Sequence, residues 1–134
     1  MNSRLQRLRS ILRNKGSDSL LITHPANISY LTGFHTQDSF LLLSGESAVL
    51  ITDSRYSAEY RDCNKNSSID ICERKQNIFQ TIKNIKKKFG IKKLAFEQEH
   101  LSFSFYRKLS SVFSRGLTPA KGLIEGMRAV KDPE

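Results

Sequence analysis

Two short stretches hold the side chains whose types and spacing could do chemistry. The first, PANISYLTGF at 25–34, combines the amide of Asn27 with the aromatic rings of Tyr30 and Phe34. It separates two apolar runs, which places it in a loop at the end of a buried strand, where functional residues often lie. Gly33 predicts a turn with a positive φ angle. The pattern leaves three roles open, which are chemistry, binding and a structural turn.

The second stretch, TDSRY at 52–56, places Asp53, Arg55 and Tyr56 directly after an apolar run. A carboxylate and a guanidinium two residues apart favour an ion pair at a strand-to-helix turn. An aspartate at such a turn is also a common N-cap, because its oxygen accepts from free amides of the first helical turn. The pair is interpreted either as a cap with an ion pair or as part of a binding surface.

The other chemistry-bearing residues form no catalytic or metal-binding pattern. His24, His35 and His100 are dispersed and lack ligand spacing, so each is interpreted as a loop or surface histidine. Cys63 and Cys72 lack CxxC spacing and predict free thiols. The sequence also contains no glycine motif for nucleotide phosphates and no nucleophile elbow. We therefore predict no catalytic residue and no metal ligand within this chain.

Length and composition predict one globular domain. The chain has 134 residues, of which 38% are hydrophobic and 26% charged. No apolar run approaches the roughly 20 residues that a membrane helix needs. The basic N-terminus interleaves arginines with leucines, which favours a first helix over a targeting segment. Without a secretion signal, we expect a cytoplasmic protein.

The net charge of +9 is the one unusual bulk property. Most of the excess lies in two amphipathic segments, at 4–15 and 83–93, where it predicts solvated helix faces. Basic surfaces also bind nucleic acid, but the apolar residues of 83–93 follow helical periodicity and do not interleave aromatics with lysines. Nucleic-acid binding is therefore the less favoured interpretation. A longer protein with an acidic remainder would also explain the charge.

The elements that position these stretches follow from hydrophobic periodicity. The predicted helices cover 3–15, a short turn at 25–30, 55–63, 76–89 and a segment capped by Ser102 or Ser104. The predicted strands cover 19–23, 40–43, 48–52, 68–72, 93–97 and, at an edge, 117–119. An early hairpin followed by βα units predicts an α/β fold, a three-layer α/β/α sandwich on a mixed sheet of about six strands.

Four stretches together resemble the N-terminal domain of the creatinase, prolidase and aminopeptidase P family. Two of them match an Asn-x-x-Tyr-x-(Thr/Ser)-Gly-Phe loop and a Thr-Asp-x-Arg-Tyr turn. The matching residues are Asn27, Tyr30, Thr32, Gly33 and Phe34, then Thr52, Asp53, Arg55 and Tyr56. LAFE at 94–97 is similar to the family's Gly-Phe/Val-Glu strand, with Ala95 in place of glycine. MRAVKD at 127–132 is similar to its Arg-x-x-Lys-(Ser/Asp) segment.

The resemblance implies a ribonuclease H-like domain over 1–122, followed by a linker at 123–134 into a C-terminal pita-bread catalytic domain. In the family that second domain holds two divalent metals, such as Mn, Co or Zn, and cleaves the bond before proline. The resemblance implies that the metals lie outside this chain, which would be inactive alone. It also implies a homodimer, proline-containing peptides as ligands, and a role for this domain in substrate access.

The site residues implied by the resemblance would face the substrate cleft or a domain interface. They are Asn27, Tyr30, Phe34, Asp53, Arg55 and Tyr56. The rings would pack on a proline or bind an ammonium, while Asp53 and Arg55 would bind the charged or polar groups of a peptide. For Tyr30 and Phe34, core packing remains the alternative. For the whole chain, the alternative is a creatinase-like or catalytically dead relative that acts as a binding module.

Overall fold

The computed structural model describes residues 3–63, 68–74 and 77–130, without the side chain of Cys63. Within these residues, helices are interspersed with the strands of a single sheet. The helices are α1 (Ser3–Asn14), α2 (Pro25–Thr32), α3 (Ser54–Cys63), α4 (Ile78–Phe89), α5 (Phe103–Val112) and α6 (Leu123–Ala129), with a short 3₁₀ turn at Gln98–His100. The strands are β1 (Ser19–Ile22), β2 (Phe40–Ser44), β3 (Ala48–Thr52), β4 (Asp70–Glu73), β5 (Leu94–Glu97) and β6 (Leu117–Ala120).

The sheet is mixed and has the strand order β4-β3-β2-β1-β5-β6. The strand β2 pairs antiparallel with both neighbours, β1 and β3, whereas β4, β5 and β6 join the sheet in parallel pairs. The hairpin of β2 and β3 is therefore confirmed, as is the edge position of β6. Its Pro119 lies where the sheet has no further strand to bond.

The sheet is covered on both faces, which confirms the three-layer α/β/α sandwich. Successive residues of a strand point to opposite faces, so Leu20 and Leu21 enter different cores. One core packs the sheet against α1, α2, α3 and α6, and Tyr60 and Met127 are among its buried side chains. The other core packs it against α4 and α5, with Ile82 and other isoleucines.

Most predicted boundaries are confirmed within two residues, and the differences have local causes. The strand β4 lies at 70–73, two positions later than its predicted start. Asn77 accepts from the amide of Gln80 and so caps α4. Ser102, the first of the two predicted caps, accepts from the amide of Phe105 at the start of α5. The predicted polar loop at 64–68 lies largely outside the described residues, as do Lys131 and Asp132.

The predicted turn at 25–30 is a two-turn helix, because Pro25 stands at its first position and Gly33 ends it at φ 75°. The segment 123–129, part of the linker that the resemblance implied at 123–134, forms α6 and buries Ile124 and Met127 in the first core. No described helix is long and apolar enough to cross a membrane. Cys72 is a free, half-buried thiol, as predicted.

Candidate functional site

The six predicted site residues separate into two groups, one on the side of α2 that faces α6 and one beyond the C-terminal end of α2. Asn27 and Tyr30 face α6, whereas Phe34 packs against α3, the helix that carries Tyr56. Asp53 and Arg55 stand on the exposed side of that second group. The two groups have different chemistry, which the geometry of each makes clear.

Asn27 is fully buried at the first turn of α2 and contacts three charged side chains. Its Nδ2 donates to Glu97 Oε2 at 2.5 Å and to Glu125 Oε2 at 3.0 Å. Its Oδ1 accepts from Arg128 Nη1 at 2.9 Å. Both N–H groups and the carbonyl oxygen of the amide therefore have partners, and these partners come from β5 and α6.

Glu97 binds the backbone of the two residues that lead into α2. Glu97 is the last residue of β5 and is only 6% exposed. Oε1 accepts from the backbone amides of Thr23 at 2.7 Å and His24 at 3.0 Å. His24 is the N-cap residue and makes no side-chain cap of its own. A carboxylate at a helix N-terminus is favourable both for these donors and for the helix dipole.

His100 extends the group toward the surface. Its Nε2 lies 2.6 Å from Glu125 Oε2, and its ring stacks on His24 with centroids 4.0 Å apart. Thr23 Oγ1 donates to the carbonyl oxygen of His100 at 2.8 Å, which anchors the 3₁₀ turn. Burial acts to raise the pKa of the Glu125 carboxyl, but hydrogen bonds from Asn27 and His100 outweigh burial and lower it.

The ligand atoms of Glu97, His100 and Glu125 lie within 4.8 Å of one another, close enough for a cation. Hydrogen-bond donors already occupy these oxygens, because Asn27 Nδ2 points between the two carboxylates. The adjoining cavity, of about 10 Å³, holds no more than a water molecule. Three ligands are fewer than a two-metal centre needs, and the Asn27 amide already satisfies one oxygen of each carboxylate.

Tyr30 is half-buried between α1 and α6. The guanidinium of Arg4 lies 4.0 Å from its ring centroid and also donates to its backbone oxygen at 2.7 Å. The Tyr30 hydroxyl donates to the carbonyl oxygen of Met127 at 3.4 Å. One face of this ring is therefore already occupied by a cation of the same domain.

Phe34 is buried, with 8% of its surface exposed, and packs between two tyrosines of α3. Its ring meets Tyr60 edge-to-face at 5.2 Å and Tyr56 at 6.3 Å. Such edge-to-face pairs add to the energy of burial. The geometry agrees with core packing, the alternative to an aromatic wall that the sequence left open. Tyr56 itself is half-buried and lies 5.2 Å from the Arg55 guanidinium.

Asp53 and Arg55 form a local, exposed ion pair. Arg55 Nη2 lies 2.7 Å from Asp53 Oδ2, and their side chains are 65% and 26% exposed, respectively. Asp53 Oδ1 also accepts from the Arg55 amide at 2.9 Å, so the cap and the ion pair coexist. The hydrogen bond from Arg55 lowers the pKa of the Asp53 carboxyl, and the carboxylate in turn raises the pKa of Arg55.

The comparisons with known proteins agree with the motifs that shape these two groups. The sequence profile of the Creatinase/Prolidase N-terminal domain matches residues 4–130. The chain belongs to this family. The match covers both ends of α2 together with α6, so Asn27, Glu97 and Arg128 lie within the family domain.

Proteins similar to this chain are named as peptidases. The chain is 33% identical over 132 residues to a protein named uncharacterized peptidase YqhT of Bacillus subtilis, covering 98% of the chain and 37% of that protein. An Xaa-Pro dipeptidase from Bacillus anthracis has a TM-score of 0.89 at 28% identity, over 98% of the chain and 36% of that protein. An Xaa-Pro aminopeptidase structure from Streptococcus pyogenes has a TM-score of 0.81 at 32% identity, covering 94% of the chain and 95% of that structure. The chain thus spans little more than a third of the first two.

Sequence reasoning missed most members of the group around Asn27, which are Glu97, His100, Glu125 and Arg128. His100, interpreted as a loop or surface histidine, is half-exposed in the 3₁₀ turn after β5. The sequence did not predict its contact with Glu125, because this turn and α6 are neighbours only in three dimensions. His35 does lie on an exposed loop. Two signals were present in the sequence. A glutamate ends the apolar strand at Glu97, and Glu125 and Arg128 stand three residues apart on one helix face.

Proposed function

We propose that this chain is the non-catalytic N-terminal domain of a metal-dependent Xaa-Pro aminopeptidase or dipeptidase. The observation that carries the proposal is the family match over residues 4–130, together with relatives named as Xaa-Pro peptidases. The chain corresponds to about 36% of the Bacillus anthracis dipeptidase, which leaves room for a catalytic domain in the remainder of such a protein.

In this proposal, the bond before proline is hydrolysed by a C-terminal domain that holds two divalent metal ions. The residues of 1–122 form the covering domain, and 123–134 lead into the catalytic one. The covering domain restricts access to the cleft and contributes to a homodimer in the cytoplasm. The basic surface, with a net charge of +9, suits an acidic partner domain.

The two described groups support a scaffolding role more than a chemical one. The buried Asn27 amide is satisfied by Glu97, Glu125 and Arg128, and Phe34 is satisfied by aromatic packing. Asp53, Arg55 and Tyr56 are at least partly exposed and lie together around the start of α3. We propose that these three residues face the cleft or a domain interface.

The test is a peptidase assay of the whole protein, with any sequence encoded after Glu134 included. With Mn²⁺ or Co²⁺ present, we expect release of the first residue from Xaa-Pro peptides, and no release from matched Xaa-Ala peptides. Chelation should abolish the activity. A whole protein that cleaves no Xaa-Pro peptide in any of these metals contradicts the peptidase proposal and favours the binding-module alternative.

A further inference from the structure

Asn27 stands where the first turn of α2, the end of β5 and the helix α6 meet. We propose that Asn27 is a positioning residue: its amide fixes the orientation of α6, and through α6 it sets how far long peptides reach into the cleft of the proposed peptidase. The part that concerns peptides rests on the proposed function. The part that concerns α6 rests on the geometry of this domain.

Only an uncharged amide satisfies the three partners at this position. Its two N–H groups meet the carboxylates of Glu97 and Glu125, and its oxygen meets the Arg128 guanidinium. An aspartate would replace the donors with a third negative charge. A hydrocarbon side chain at position 27 would leave Glu97 Oε2 without the donor that Asn27 provides. Buried polar groups without a partner are costly because the local dielectric is low.

The helix α6 needs such a contact. It has seven residues, begins at Gly122 without a side-chain cap, and would be unstable in isolation. Ile124 and Met127 bury apolar side chains, but apolar packing has little directional preference. Hydrogen bonds, in contrast, have a strong directional preference. Glu125 and Arg128 bind the donor and acceptor ends of the Asn27 amide, and so fix the rotation of α6 about its axis.

In the proposed peptidase, the chain beyond α6 leads to the catalytic domain. A rotation of α6 would move the covering domain relative to the cleft without changing the metal centre. Long peptides, which extend past the reacting bond, should therefore sense the change more than tripeptides do. Asn27 then affects the selectivity for substrate length and has no direct part in bond cleavage.

The first experiment measures amide hydrogen exchange of α6 in the purified chain. In the wild type, the amides of Gly126 and Val130 are held by Gly122 and Met127. We expect Asn27→Asp to speed exchange in this helix about tenfold, as loss of a buried hydrogen-bond network predicts. The matched control is Asn84→Asp, the same chemical change on an exposed turn of α4, and it should leave α6 unchanged.

A double variant tests whether the loss comes from the broken hydrogen bonds around position 27, because it restores the net charge of this group and one donor–acceptor contact. In the double variant Asn27→Asp/Glu97→Gln, the oxygen of the introduced glutamine still accepts from the amides of Thr23 and His24. The N–H groups of that glutamine donate to the introduced aspartate. We expect this double variant to recover most of the lost protection. If α6 is protected from exchange no better in the double variant than in Asn27→Asp alone, the proposal is overturned.

The charged groups that face position 27 also predict a pH signature. They are Glu97 from β5, and Glu125 and Arg128 from α6; the His100 ring contacts Glu125 and stacks on His24. A third carboxylate in this group should be protonated more readily than in water, and its O–H then becomes a donor. The defect of Asn27→Asp should therefore shrink as the pH falls, whereas that of Asn27→Ala should not.

A second variant keeps the test decisive if Asn27→Asp fails to fold. Arg128 is exposed, so Arg128→Ala should fold and should still speed exchange in α6. Unchanged exchange in this variant would overturn the proposal. Addition of Zn²⁺ or Mn²⁺ to the wild-type chain provides a further check. A rise in α6 protection that Glu125→Gln abolishes would show a cation site at Glu97, His100 and Glu125, and would also overturn it.

The second experiment uses the whole protein and compares kcat/KM for an Xaa-Pro tripeptide and an Xaa-Pro decapeptide. We expect Asn27→Asp to change the ratio of the two values about threefold or more, with kcat on the tripeptide nearly unchanged. An equal loss on both peptides would overturn the part that concerns substrate length. A wild-type protein inactive on both would refute the proposed function, while the exchange result on α6 would stand or fall independently.

Discussion

The first turn of α2 is held by hydrogen bonds to charged side chains, whereas the chain after its last turn is held by aromatic rings. At the first turn, Asn27 and Glu97 connect segments 70 positions apart in sequence. Beyond the last turn, Phe34 packs on Tyr56 and Tyr60 of the next helix, α3. Both contacts bury their residues, but they restrict the structure in different ways.

The difference separates stability from orientation. Aromatic packing contributes a large burial energy and tolerates small rotations, because dispersion and hydrophobic terms vary slowly with angle. A buried hydrogen-bonded network gives a smaller net energy, but it is costly when any partner is missing. We infer that the Phe34 end mainly stabilises the domain and that the Asn27 end mainly fixes the placement of α6.

The largest effect is expected from Phe34→Ala. Truncation of a buried phenylalanine leaves a cavity between α2 and α3 and should lower the free energy of unfolding by about 4 kcal/mol. Denaturant unfolding of the purified chain measures it. The matched control is Phe103→Ala, since Phe103 is 73% exposed and should lose little. Equal losses in the two variants would contradict the assignment of Phe34 to the core.

The next effect is expected from Glu97→Leu. The change keeps a side chain of similar size but removes the acceptor of Thr23, His24 and Asn27. Buried donors without partners should lower the free energy of unfolding by about 3 kcal/mol. Glu99→Leu, at an exposed neighbour, is the control. A Glu97→Leu chain as stable as the wild type would show that the hydrogen bonds of Glu97 at the start of α2 contribute nothing.

A smaller, pH-dependent effect is expected from Glu125→Gln. The folded pKa of Glu125 lies below its ordinary value of 4.5, so the carboxylate stabilises the fold above that value. The stabilisation is lost as the pH falls through the lower folded pKa. The stability difference between wild type and variant should therefore shrink in acid. Denaturant unfolding at several pH values from 7 to about 3 measures this difference. Glu46→Gln, at an exposed position, is the control. A stability difference that does not change with pH would contradict the role of Glu125 in this group.

The smallest effect is expected from Arg55→Gln. The pair with Asp53 is exposed, with 65% of the Arg55 side chain accessible, and surface ion pairs contribute little. We expect a change in melting temperature no larger than replicate scatter, and none at high salt, where exposed charges are screened. A clear loss of stability would show that this pair supports the Phe34 end. A loss of peptidase activity alone would support its proposed place at the cleft.

The sequence predicted the sheet well because strand and helix signals are local. Period-two and period-3.6 patterns, Gly33 and the cap at Ser102 depend on neighbours within a few residues. The ion pair of Asp53 and Arg55 was predictable for the same reason. The group around Asn27 was not, because its partners are brought together by the parallel pairing of β1 with β5 and by the docking of α6. No spacing rule encodes such long-range contacts.

The assignment of roles also depended on burial, which single residues do not reveal. Tyr30 and Phe34 both fit an aromatic wall or a core contact when only their types are known. The structure places the Arg4 guanidinium on one ring and two tyrosines around the other. The resemblance identified the family correctly, but it left the position of each side chain open.

The central claim is that this chain supports and covers a reaction that other residues carry out. The most direct measurement compares the 134-residue chain with the whole protein on one Xaa-Pro peptide, with Mn²⁺ or Co²⁺ present. We predict release of the first residue by the whole protein and no release above the blank by the chain alone. Metal-dependent hydrolysis by the chain alone would contradict the account.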